Sequence, residues 1–73
     1  MTLKDLLQVL ATNMNIEVYD DSKKWDDDDK YICTGSVADI KEAFHGAVGS
    51  ADQWRVTDIC NGECGLMVFV IER

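Results

Sequence analysis

The chain has 73 residues, of which 47% are hydrophobic and none is proline, and it carries a formal net charge of −7. That length fits one domain over residues 1–73, and the apolar content is that of a folded chain, not a disordered one. No apolar run approaches the ~20 residues of a membrane span, and fourteen acids against seven bases repel phosphate backbones, which argues against direct nucleic-acid binding.

Thr2 is a good helix N-cap, and Asp5 stands three residues on, where its carboxylate reaches back to the backbone. Leu3, Leu6, Leu7 and Leu10 follow at i, i+3, i+4 and i+7, which places them on one helix face. The spacing predicts an amphipathic helix over residues 2–13, with Asn13 and Asn15 at its exit. Ile16 and Val18 alternate with Glu17 and Tyr19 and predict a strand over residues 15–20. From Asp20 to Lys30 apolar residues almost disappear. That stretch predicts a solvated loop kept extended by its like charges.

Tyr31 to Thr34 resumes strand character, and Gly35 ends it. Ser36 predicts a second helix cap, again with an aspartate, Asp39, three residues on. Val37, Ile40, Ala43 and Phe44 form its apolar stripe, and Gly46 is a natural stop. Gly46, Gly49, Ser50 and Asp52 mark a loop. Trp54 to Cys60 predicts a third strand, and Asn61-Gly62 is a hairpin signal. Leu66 to Ile71 predicts a fourth strand, apolar at every position and therefore central or covered on both sides. The expected fold is α+β in the order αββαββ. It has a mostly antiparallel four-stranded sheet with two helices on one face.

Three segments carry a family likeness: "MTLKDLLQVLATNMNIEVYD", "YICTGSVADI" and "WRVTDI" followed by "LMVFVIER". Together they resemble a group of small uncharacterised proteins carried by Gram-positive bacteria and their phages and prophages. The likeness spans most of the chain. It implies a phage or mobile-element setting and assigns no activity. The Asp-rich loop and the "CNGEC" turn depart from the pattern of that group, so these are the places to look for any specialised function.

The Asp run lacks what a dedicated calcium loop needs. From Asp20 or Asp26, neither the sixth-position glycine nor the twelfth-position glutamate is present. A row of carboxylates can instead occupy a basic groove made for nucleic acid. Trp25, beside Asp26, Asp27, Asp28 and Asp29, then serves as an anchor of the kind that dominates interfaces. The competing reading for Trp25 is a ring folded back over the edge of the core. Asp26 to Lys30 also matches the recognition sequence of enteropeptidase, here internal to the chain.

Cys60 and Cys64 straddle Asn61-Gly62, with Cys33 and His45 elsewhere. These four are the lesser metal candidates, because a zinc knuckle usually has two residues between its cysteines and this gap has three. Free thiols in a cytoplasmic protein are the expected state, since the N-terminus lacks the basic and apolar regions of a secretory signal. His45 at a helix C-terminus is accounted for by the helix dipole. No glycine-rich phosphate loop, serine elbow or paired-carboxylate motif is present, so no enzyme and no cofactor is expected. The expected role is binding to a protein with a basic surface through Trp25 and Asp26–Asp29. The alternative is an assembly module that forms a homodimer through its sheet edges or its outer helix face.

Overall fold

The computed structural model describes residues 1–44, 50–63 and 65–72. Helix α1 spans Leu3–Val9 and begins at a complete capping box between Thr2 and Asp5. It buries Leu3, Leu6 and Leu7. Val9 is 74% exposed, and it ends the helix four residues before the predicted end, the chain turning extended at Leu10. The reason lies in α2, which spans Val37–Ala43. The first amides of that helix need acceptors. Val37 N–H donates to the Met14 carbonyl at 2.9 Å, and Ala38 N–H donates to the Thr12 carbonyl at 3.2 Å. Residues 12–14 thus cap the second helix and do not lengthen the first. Ser36 and Asp39 complete the same end with a second capping box.

The strands are β1 (Asn15–Asp20), β2 (Tyr31–Ser36), β3 (Trp54–Asn61) and β4 (Leu66–Glu72). Short 3-10 turns at Asp28–Lys30 and Ala51–Gln53 precede β2 and β3. The main elements follow the αββαββ order, and the fold is a small α+β domain with a four-stranded sheet. The sheet is mixed, which corrects the mostly antiparallel expectation. Its order is β2-β1-β4-β3, with β1 and β4 parallel between two antiparallel outer pairs. β1 and β4 contribute the strand residues buried in the core, and central placement keeps their backbones away from water. The more polar β2 and β3 take the edges.

The parallel register runs from Ile16 beside Leu66 to Asp20 beside Val70. Because side chains alternate along strands, Ile16, Val18, Val68 and Val70 share one face. They pack there with Leu3, Leu6, Leu7, Val37, Ile40 and Phe44. Glu17, Tyr19, Met67 and Phe69 consequently point to the opposite face. Gly65 starts this register at φ +149°, and a Cβ there would lie 2.3 Å from the Asn15 carbonyl oxygen. Only glycine lets the two central strands meet so closely.

β3 and β4 form the hairpin signalled by Asn61-Gly62, and Asn61 pairs with Leu66, so β3 runs one residue past the predicted Cys60. Gly62 N–H closes the hairpin on the Gly65 carbonyl at 2.7 Å. The outer edge of β3 is met at its start by the N-terminus, through an isolated bridge of Thr2 to Arg55 and a 2.9 Å bond from Val56 N–H to the Met1 carbonyl. The predicted helix stop at Gly46, and Gly49 in the predicted loop, lie outside the described residues. Among the described residues, no helix is long and apolar enough to cross a membrane.

A domain of 73 residues has a total stability of about 4–11 kcal/mol. Leu7 is among its largest fully buried side chains. Leu7→Ala is expected to lower the unfolding free energy in urea by about 2–5 kcal/mol. A loss below about 1 kcal/mol would show that the helix does not carry the core.

Candidate functional site

The face of the sheet turned away from the helices holds a cluster of aromatic rings. Tyr19 on β1 stacks with Phe69 on β4 at 5.5 Å between centroids. Tyr31, opposite Tyr19 on β2, meets it edge-on at 5.8 Å. A register shift between Val18 and Tyr19 accompanies this pairing. Trp25 reaches the cluster from the loop, 5.6 Å from Tyr19 and 5.8 Å from Phe69. The Tyr19 hydroxyl donates to the Glu17 carboxylate. That bond, with burial second, pushes the phenol up to about 12. The pair therefore favours the folded state below the ordinary phenol pKa near 10, and this contribution is lost as pH rises through about 12.

The loop between β1 and β2 is not extended, contrary to the expectation from its charge. It is a series of turns. Asp21 N–H continues the ladder onto the Val70 carbonyl at 2.7 Å. The Asp20 carboxylate accepts from Ser22 N–H at 3.0 Å and from its hydroxyl at 2.6 Å. Lys23 N–H, Asp27 N–H and Lys30 N–H each close a turn on the carbonyl three residues earlier. The Asp27 carboxylate accepts from Asp29 N–H at 2.9 Å and caps the 3-10 turn. Asp21 also reaches the β3 edge, where Thr57 Oγ1 donates to its carboxylate at 3.0 Å.

Lys30 holds these turns to the sheet. It is only 6% exposed. Its Nζ donates to the Lys23 carbonyl at 2.8 Å and contacts the Asp20 carbonyl at 3.4 Å. The same ammonium lies 4.7 Å from the Trp25 ring centroid and 5.6 Å from that of Phe69. A buried ammonium needs such partners, because an unsatisfied one is driven back to water. Carbonyl oxygens and π-faces both supply negative potential. The predicted lysine of the enteropeptidase-like sequence is thus the anchor of the loop, and the bond after it opens β2.

Two readings were open for Trp25, and its position combines them. The ring folds onto the sheet but remains 68% exposed. Asp26, Asp27, Asp28 and Asp29 follow it, all exposed. Trp25 therefore rests beside Tyr19 and Phe69, and Tyr31 meets Tyr19 from β2. Sequence reasoning missed Tyr19, Tyr31 and Phe69 as site neighbours. For Tyr19 and Phe69 the available signal was their alternation with buried Val18 and Val68 on the central strands; for Tyr31, on the edge strand β2, there was none.

The metal candidates are not gathered by the described residues. Cys33 is half-buried on β2 and Cys60 is exposed on β3, both as free thiols. Burial pushes the Cys33 thiol up to about 11, which leaves it protonated and a poor ligand or nucleophile at neutral pH. His45 and Cys64 lie outside the described residues. Among the described residues, no group of three or more His, Cys, Asp or Glu side chains is placed to hold a metal. A groove of about 450 Å³ on the helical side is lined by Lys4, Leu7, Gln8, Lys41, Phe44 and Ala51, among others. Its two lysines, Lys4 and Lys41, stand among acids of the same elements, Asp5, Asp39, Glu42 and Asp52. No family model, curated protein or solved structure matches the chain.

Lys30→Met keeps most of the buried stem but removes the ammonium. It is expected to cost about 1–3 kcal/mol in urea unfolding and to shift Trp25 emission to the red as the ring is released. Unchanged stability and emission would show that the ammonium holds nothing in place.

Proposed function

We propose that the chain is a protein-binding module whose Asp-rich loop engages the basic surface of a partner, with Trp25 as the apolar anchor. The observation that carries this reading is the exposed Trp25 ring, fixed on the sheet and followed directly by four exposed aspartates. A large aromatic held in place loses little entropy on binding, and flanking carboxylates steer a basic partner toward it. Partner binding through this loop requires no catalytic residue, metal or cofactor. The net charge of −7 disfavours nucleic acid itself and favours surfaces that hold nucleic acid.

A concrete form of the proposal follows from the likeness to phage and prophage proteins. The chain acts as an acidic decoy that inhibits a host nucleic-acid-handling defence complex, in the manner of an anti-CRISPR protein. Its place of action is the host cytoplasm. The test is capture of such a complex from a host lysate, at low and moderate salt, with and without competing nucleic acid. Replacing Asp26, Asp27, Asp28 and Asp29 by serine is expected to weaken capture at least about tenfold and to flatten its salt dependence. Serine can still cap the 3-10 turn at position 27, so circular dichroism and urea unfolding are expected to stay unchanged. Equal capture by the variant, or indifference to competing nucleic acid, would remove the decoy reading.

A second reading, assembly into a homo-oligomer, is favoured by the outer edge of β2. Tyr31–Ser36 form the end strand of the sheet, with Tyr31 47% exposed. Such an edge can pair with a second copy. Light scattering at high concentration decides this, and a strict monomer removes it.

A further inference from the structure

The surface around Trp25 offers more than carboxylates. Tyr19 and Phe69 stack at the centre of the far sheet face, and Trp25 and Tyr31 flank them with much of their rings in water. The two helices pack on the opposite face, against Ile16, Val18, Val68 and Val70. Four strands at ~4.8 Å spacing make the face about 15 Å wide, enough for an extended segment that presents several side chains. A native cation already rests against these rings: Lys30 Nζ sits over both Trp25 and Phe69.

The charge around the rings has one dominant sign. Residues 17–29 hold Glu17, Asp20, Asp21, Asp26, Asp27, Asp28 and Asp29, seven of the fourteen acids of the chain, against Lys23 and Lys24; of these acids Asp20 is buried and bonded to Ser22. Glu17 on β1 bonds to Tyr19, and Asp21, in the turn just after β1, bonds to Thr57 on β3. The occupant this surface complements is cationic and also able to lie flat on an aromatic ring. A lysine ammonium is strongly hydrated and binds as a point charge. An arginine guanidinium is planar and weakly hydrated, stacks on aromatic faces and pairs with carboxylates through two parallel bonds.

We infer that this face selects arginine over lysine. It binds an arginine-bearing segment of a basic protein, with a guanidinium laid on the exposed ring of Trp25 or Tyr31 and paired with the neighbouring carboxylates. This rests on the basic-partner reading above and adds to it a side-chain preference that carboxylates alone do not confer.

The experiment compares an arginine-glycine repeat peptide with a lysine-glycine peptide of equal length and charge, titrated into the isotopically labelled protein and followed by NMR. The arginine peptide is expected to bind roughly two- to fivefold tighter and to move the Trp25 indole N–H and the Tyr31 ring signals. Trp25→Leu keeps an apolar body but removes the π-face, and it should bring the two peptides to equal affinity. Tyr31→Leu serves as the second variant if Trp25→Leu disturbs the loop. Equal affinity in the unaltered protein, or a preference that survives both variants, overturns the arginine inference while leaving the basic-partner reading intact. Failure of both peptides to bind at low salt overturns both.

Discussion

The far side of this domain depends on one buried ammonium. Lys30 leaves water to sit among two backbone carbonyls and two aromatic rings. Desolvating an ammonium costs several kcal/mol unless its donors are met, and here the loop itself meets them. In return the loop cannot leave the sheet without stranding the charge or exposing the stem. A segment crowded with like charges, which would otherwise extend into solvent, is thereby folded into turns. Trp25 is carried along and comes to rest on Tyr19 and Phe69.

The sheet separates two jobs. Its helix-covered face carries the stabilising core, from Leu3 through Val70. The opposite face carries rings in partial contact with water and the acids around them. The parallel pairing of β1 and β4 makes this division possible, because one register sets the parity of both central strands. A slip of β4 by one residue against β1 would turn Phe69 into the core and expose Val68. Gly65, which admits the close approach to Asn15 at the start of the pair, guards that register.

Local signals in the sequence were legible where they depended on near neighbours. The capping pairs Thr2–Asp5 and Ser36–Asp39 mark both helix starts, and the alternation of Ile16 and Val18 marks β1. The uniformly apolar Leu66–Ile71 announces a central strand. Features that depended on distant partners were not legible. The end of α1 is decided by amides of α2, and the parallel pairing by which strands most need covering. The burial of Lys30 is invisible in a run of eleven mostly polar residues, because composition treats it as one more charge. Of the candidate site, the exposure of Trp25 and Asp26–Asp29 was readable. The rings that support them were not, since Tyr19, Tyr31 and Phe69 come from three strands.

The central claim is that Lys30 fixes Trp25 on the sheet as a rigid, exposed platform. The most direct test is nitrogen-15 relaxation of the Trp25 indole N–H. A fixed ring should give an order parameter about 0.85, like rigid backbone, and Lys30→Met should lower it markedly. A value below about 0.6 in the unaltered protein would mean that the ring moves freely with the loop, and would contradict the account.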